Sequence, residues 1–234
     1  MTYINLKNVE VVYPIYEVNS LSIRKNLISK LKGENQSVNF KSIKALNNIN
    51  LEIKKGDRLG VIGKNGAGKT TLLKTISRII QPTNGSVELQ GKIFPLFDIN
   101  MGLQTEATGY ENIFIISYIL GFSKEMIQNN IEKIIRFSGL ESNIFRAVRT
   151  YSSGMVVRLA SSIIFHCNAE ILLIDEFFGS GDKEFMDKAS TKINELIQDS
   201  GIFIFTSHNM HYIEKYCNKI IELEEGNIIS QKEI

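Results

Sequence analysis

Gly63-Lys64-Asn65-Gly66-Ala67-Gly68-Lys69-Thr70 satisfies G-x-x-x-x-G-K-[ST] at every fixed position. The apolar stretch Leu59-Gly60-Val61-Ile62 runs directly into it, and a helix is predicted from about Gly68 to Ile79 beyond it. That is the strand–loop–helix context the pattern requires. Each residue type has a physical reason. Glycines let successive backbone N–H groups curl around phosphate oxygens, and a helix N-terminus adds the positive end of its dipole. Lys69 is predicted to reach the β- and γ-phosphates, and the Thr70 hydroxyl to ligate Mg²⁺. Gly63, Lys64, Asn65, Gly66, Ala67, Gly68 and Thr71 complete the expected phosphate-binding set. The ligand expected here is a nucleoside triphosphate.

Working outward, Thr2–Val12 interleaves apolar and polar residues and is predicted as a strand. Strands are also predicted at Ile49–Ile53 and Arg58–Ile62, joined by the turn Lys54-Lys55-Gly56-Asp57. After the turn Pro82-Thr83-Asn84-Gly85 come two short strands, Ser86–Leu89 and Ile93–Phe97. Helices are expected at about Glu111–Leu120 and Lys124–Ser138. The last third alternates helix Gly154–Cys167, strand Ile171–Ile174, helix Lys183–Asp199, strand Ile202–Thr206, helix Met210–Tyr216 and strand Lys219–Leu223. Alternation of this kind predicts a parallel α/β sheet.

Two of these strands end in residues that carry chemistry. Ile171-Leu172-Leu173-Ile174 is an apolar run closed by Asp175 and Glu176. A fully buried strand delivers both carboxylates to its C-terminal edge, where parallel α/β sheets bind ligands. Asp175 then suits Mg²⁺, through water, and Glu176 suits the general base that polarises an attacking water. A helix-capping role for Glu176 is the plainer alternative, but an acid pair after a buried strand is costly without a cation. Strand Ile202–Thr206 likewise runs into Ser207-His208-Asn209, which aims His208 at the same crevice and predicts a γ-phosphate contact. His166 and His211 have no such context.

Composition narrows the function classes. The 234 residues suffice for one large domain, and 43% hydrophobic with 22% charged residues describes a folded chain rather than a disordered one. The longest nearly unbroken apolar stretch, Ile113–Phe122, has ten residues, about half of what a membrane-spanning helix needs. Met1–Leu6 has no basic region leading into an apolar one, so no export signal is expected. Cys167 and Cys217 sit in apolar helical contexts and suit a reducing compartment. A net charge of +2 argues against strong global attraction to nucleic acid. Tyr16–Lys44 stands apart, with six basic residues against two acidic giving +4. Within it Ile23, Leu27 and Leu31 recur at i, i+4 and i+8, predicting a short amphipathic helix in an insertion at about 17–44.

Tyr151-Ser152-Ser153-Gly154-Met155, about 20 residues before Asp175, resembles the signature motif of ABC-type ATPases in the form seen in polysaccharide exporters. Ser-Ser-Gly at a helix start offers hydroxyls, N–H groups and a dipole end to a second anion. The segment from Leu96 through Asn112 is similar to exporters of O-antigen, teichoic acid and capsule. The resemblance implies a P-loop NTPase of the ABC ATPase fold, with a RecA-like parallel core, an N-terminal antiparallel β-subdomain and a helical subdomain. It implies one domain over 1–234, with β-subdomain and core in 1–97, a helical part at about 105–155 and core again in 156–234. It further implies ATP and Mg²⁺ as cofactors and a head-to-tail homodimer. Ser152, Ser153 and Gly154 of one protomer, with Asp182 in its D-loop, then complete the site formed by Lys69, Asp175 and Glu176 of the other. Separate multi-spanning permease subunits, a lipid-linked polysaccharide cargo, no nucleic acid and a peripheral place on the cytoplasmic face of the inner membrane follow from the same resemblance.

The chain departs from the family at three places, the first being the insertion at about 17–44, which minimal ABC domains lack and which resembles an extra helix found in O-antigen exporters. Where most members have a coupling Gln after the fifth strand, the candidates here are Asp98, Asn100 and Gln104. The D-loop reads Phe177-Phe178-Gly179-Ser180-Gly181-Asp182, with aromatics in place of small aliphatic residues. The family implies an aromatic that stacks on adenine; Tyr13 fits best and Tyr16 stays open. A soluble ABC ATPase without a membrane partner is the rival class, and such proteins generally need fused motor domains or a long coiled coil. A GTPase would need N-K-x-D, and Asn218-Lys219-Ile220-Ile221 lacks the Asp.

Overall fold

The computed structural model describes residues 2–15, 41–97, 102–166, 169–175 and 183–234. Their elements in order are β1 (Tyr3–Ile15), β2 (Lys41–Lys54), β3 (Arg58–Ile62), α1 (Lys69–Ile76), β4 (Asn84–Gln90) and β5 (Ile93–Leu96). Then come α2 (Gly109–Ile119), α3 (Lys124–Ser138), a 3-10 turn at Val148–Thr150 and α4 (Ser153–Phe165). The chain closes with β6 (Ile171–Asp175), α5 (Lys183–Asp199), β7 (Ile202–Thr206), α6 (Met210–Tyr216), β8 (Lys219–Glu224) and β9 (Asn227–Glu233). Glu176, Asp182, Tyr16, Asp98, Asn100, Cys167 and the Ile23–Leu31 segment lie outside the described residues.

Apolar runs without alternation must be covered on both faces, and that requirement explains the main sheet. Its order is β5-β6-β7-β3-β8-β9; the first five strands run parallel and β9 returns antiparallel to β8. Along β6 and β7, Leu172, Ile174, Phe203 and Phe205 point into one core with residues of α4, α5 and α6. Ile171, Leu173, Ile202 and Ile204 point into the other, with Leu59 and Val61 of β3 and Leu72, Leu73 and Ile76 of α1. A second sheet, β2-β1-β4, is antiparallel throughout and contributes Ile4, Leu6, Val9, Leu46 and Ile53 to that second core. The expected parallel α/β core, antiparallel β-subdomain and helical part are all present.

Close approach fixes the central strand. The connection from β7 to β8 carries α6 across β3, because β3 lies between those two strands. A Cβ at Gly60 would stand 2.7 Å from Ile213 Cγ2 and 3.3 Å from Cys217 Sγ, so glycine admits the helix there. Burial pushes the Cys217 thiol up to about 12.

Several boundaries differ from those read in the sequence. The helix after the phosphate loop stops at Ile76 rather than Ile79, because Arg78 turns to φ 60 and the N–H groups of Ile79 and Ile80 both donate to the Lys74 carbonyl. Residues 41–44, read as the end of the insertion, belong to β2, where Lys44 pairs with Val12 and its Nζ meets Glu10 Oε1 at 2.9 Å. Strand β9 was not foreseen. It follows β8 through the two-residue turn Glu225-Gly226, with φ of 46 and 78. Positive φ at both central residues is the type I′ geometry that suits strand twist.

Candidate functional site

The phosphate loop stands at the carboxyl end of β3, the strand flanked by β7 and β8. Its shape depends on glycine at two places. Gly63, at φ 147, would drive a Cβ to 2.3 Å from the Leu223 carbonyl oxygen, and Gly68, at φ 108, to 2.6 Å from that of Ala45. Gly66 also has positive φ, 81, yet nothing lies within 4 Å of its missing Cβ, so this part of the loop faces open space. Lys69 is buried, and its Nζ donates to the carbonyls of Gly63 at 2.8 Å and Lys64 at 3.2 Å.

The loop and β6 meet at Asp175. The Thr70 hydroxyl donates to Asp175 Oδ2 at 2.7 Å, and the Thr206 hydroxyl donates to Oδ1. Asp175 and Thr206 are register partners on neighbouring strands, so the second bond follows from the sheet itself. Thr206 is fully buried, and sequence reading assigned it no role; its position at the end of a strand parallel to β6 was the available signal. The carboxylate is thereby held at the mouth of a cleft of about 770 Å³. Asn65, Gly66, Gly68, Lys69, Thr70 and Thr71 line it, with Phe97, Asp175, the β2 residues Ile43, Lys44 and Ala45, and Glu225. A hydroxyl and a carboxylate side by side are hard oxygen donors of the kind Mg²⁺ takes with waters and phosphate oxygens, so this pair fits the ion.

Other expected residues lie around this cleft at varying distance. Tyr13 pairs across the strands with Ile43, which puts both side chains on one face, though only Ile43 lines the cleft. His208 is exposed two residues beyond Thr206, at the same sheet edge. Ser207 accepts from Asn209 N at 3.1 Å, and Asn209 caps α6 by accepting from His211 N at 3.0 Å, so the segment around His208 is braced locally.

Ser152, Ser153 and Gly154 open α4 and are exposed, and they are not among the residues that line this chain's own cleft. Ser152 caps the helix by accepting from Met155 N at 3.3 Å, and no acid occupies its first turn. A helix start without acids keeps its positive dipole end available to an anion. Behind it, the Tyr151 hydroxyl donates to the Asn143 carbonyl at 2.8 Å, and burial raises its pKa above the usual tyrosine value.

Gln104 is exposed, in a loop held by a residue that sequence reading missed. Asn112 is fully buried; its Oδ1 accepts from Gln104 N at 2.8 Å while its Nδ2 donates to the carbonyls of Gln104 and Thr108, both at 2.9 Å. Its position one turn into α2 gave no pattern signal. Near it, Tyr110 stacks on Phe145 at 5.3 Å and neighbours Phe114 at 5.5 Å, and Phe145 is 72% exposed.

Residues 46–179 match the family model described as ABC transporter. Over 236 residues the chain is 39% identical to the O-antigen export system ATP-binding protein RfbE of Yersinia enterocolitica, covering 99% of this chain and 98% of that one. It is also 39% identical over 204 residues to the teichoic acids export ATP-binding protein TagH of Lactococcus lactis, covering 87% of this chain and 43% of that longer one. Among solved structures, it is similar to the ATP-binding cassette MJ0796 in a dimeric post-hydrolysis state bound to ADP and Pi. The TM-score is 0.73 at 21% identity, with 98% of each chain covered.

Proposed function

Because the chain belongs to the ABC transporter family, we propose that it is the ATP-hydrolysing subunit of an exporter of lipid-linked polysaccharide. The observation that carries the ATP chemistry is the junction of Thr70, Asp175 and Lys69 at one cleft beside the phosphate loop. Likeness to RfbE over nearly the whole of both chains supports the export reading.

In this reading Gly63–Thr71 cradle the triphosphate, and the Lys69 ammonium, now bonded to loop carbonyls, transfers to phosphate oxygens. Thr70 and Asp175 would hold Mg²⁺, which when bound neutralises charge on the phosphates. Glu176 is assigned as general base and His208 as the γ-phosphate contact. Tyr13 is assigned to the adenine, on the face it shares with Ile43. Ser152–Gly154 lie outside their own cleft, which favours a head-to-tail homodimer in which they, with Asp182, close the partner's site. The loop around Gln104 and the segment Glu111–Leu120 would transmit closure to a membrane permease. Among the described residues no helix is long and apolar enough to cross a membrane, so the pathway for cargo would lie in that permease. The chain itself would sit peripherally on the cytoplasmic face of the inner membrane.

A strain lacking the gene for this chain, complemented with tagged wild-type or Lys69→Ala chains, tests the export reading. The expected result is co-purification with a multi-spanning membrane protein and loss of surface glycan in Lys69→Ala. Normal glycan export in that variant contradicts it.

A further inference from the structure

The turn Glu225-Gly226 between β8 and β9 touches both walls of the nucleotide cleft. Gly226 N donates to the Ala67 carbonyl in the phosphate loop at 3.0 Å, and Asn47 N donates to the Gly226 carbonyl at 2.8 Å. Asn47 Nδ2 reaches Asn227 Oδ1 at 2.8 Å, and a Cβ at Gly226 would lie 2.8 Å from the Ala45 carbonyl oxygen. These ties hold the turn rigidly between the loop that takes phosphate and the β2 residues Ile43 and Ala45, which offer an apolar surface to a base.

Glu225 holds the strained place in that turn. Its φ is 46, a region that L-residues other than Asn, Asp and Gly enter only at a cost. Its side chain is exposed and lines the cleft, and among the described residues no donor satisfies its carboxylate. The turn requires this φ, but Asn, Asp or Gly would meet it at less cost, so a glutamate here points to what its side chain faces in the cleft. A carboxylate so near a polyanion site is repelled by phosphate, so it must face neutral donors. Between the phosphates and the base of a nucleotide, those donors are the sugar hydroxyls, a pairing acidic residues also make in dinucleotide sites.

We propose that Glu225 reads the sugar of the bound nucleotide, accepting hydrogen bonds from the ribose hydroxyls, a role that rests on the ATP reading above. It makes the site selective for ribonucleotides over their deoxy forms. The turn sets the carboxylate in place before the nucleotide arrives, so little ordering is needed on binding.

Equilibrium binding of ATP, 2′-deoxy-ATP, 3′-deoxy-ATP and GTP to the full chain and to Glu225→Gly tests this. The wild type should bind at least one deoxy form about tenfold more weakly than ATP, the loss expected for one hydrogen bond to a charged group. In Glu225→Gly that ratio should fall to about one. The variant's Tm should not drop, since glycine accepts the positive φ without strain. Equal affinity for ribo- and deoxynucleotides in the wild type overturns the proposal, as does an unchanged ratio in the variant. A change confined to the ATP/GTP ratio assigns Glu225 to the base and overturns it too. A wild type that binds none of the nucleotides sinks the ATP reading itself.

Discussion

Asp175 owes its position to two hydroxyls, and the consequences separate by residue. Thr206→Val keeps the shape of the buried side chain but removes the donor to Oδ1, leaving a carboxylate oxygen short of a partner. Loss of that bond should cost about 1–3 kcal/mol in chemical denaturation. Lys69→Ala should abolish ATP binding in a fluorescence titration, because it removes the one cation on the loop that faces the cleft. Gly60→Ala is a test of packing rather than chemistry. Its methyl would meet Ile213 at 2.7 Å, and overpacking of this kind costs about 1–3 kcal/mol. Thermal melts should show a lowered Tm, and an unchanged Tm would mean that α6 does not press on β3. The phosphate loop and Asp175 were legible residue by residue because each needs a particular chemistry at a particular spacing. Thr206 and Asn112 were not, since a buried hydroxyl or amide announces itself only through partners distant in the chain.

At the scale of elements, legibility followed burial. β6 and β7 are covered on both faces, so their unbroken apolar runs were plain, and α3, α5 and α6 agree with the sequence at both ends. β9 escaped because it is an edge strand, with only Ile228 partly buried against the core and mostly exposed residues after it. Its turn also has Glu where Asn or Asp usually signals a type I′ hairpin. α2 starts at Gly109, two residues before the expected Glu111, because its capping box lies just ahead of the apolar run. Thr108 accepts from Glu111 N at 3.1 Å, and Glu111 Oε2 accepts from Thr108 N at 2.8 Å. Thr108→Ala should therefore destabilise the chain by about 1 kcal/mol in denaturant titrations.

The same cap has a pH signature. The Thr108 N–H holds the Glu111 carboxyl below its usual value, and the Asn84 amide with the Lys44 ammonium does the same to Glu10, which joins β1, β2 and β4. A depressed carboxylate stabilises the fold above its unfolded pKa and loses that contribution as pH falls through the folded one. Stability should thus be flat near neutrality and fall below the ordinary glutamate range. Glu111→Gln should flatten part of that slope, and an unchanged slope would remove the cap from the account.

For the whole molecule, the division of the site matters most. Phosphate loop, Asp175 and the β8–β9 turn gather at one cleft, while Ser152, Ser153 and Gly154 stand exposed elsewhere on the same chain. The sequence allowed that separation to be expected only through likeness to a family, because spacing along a chain does not reveal which surfaces face a second copy. In the sequence, Arg24, Lys25, Lys30 and Lys32 fall between Ile15 and Lys41, which are register partners of β1 and β2. Neutralising Arg24, Lys25, Lys30 and Lys32 should reduce export in cells while the purified chain keeps its ATPase rate. A matching loss of ATPase would tie the stretch to the motor rather than to the membrane partner.

On the proposed function, two copies close around ATP, each finishing the other's site. Sedimentation velocity of Glu176→Gln with saturating ATP and Mg²⁺ tests it most directly, since a chain that binds but does not hydrolyse should be trapped closed. The predicted result is a dimer with ATP that reverts to monomer when ATP is removed or when Ser153→Arg is added. A monomer at saturating ATP, with nucleotide demonstrably bound, would contradict it.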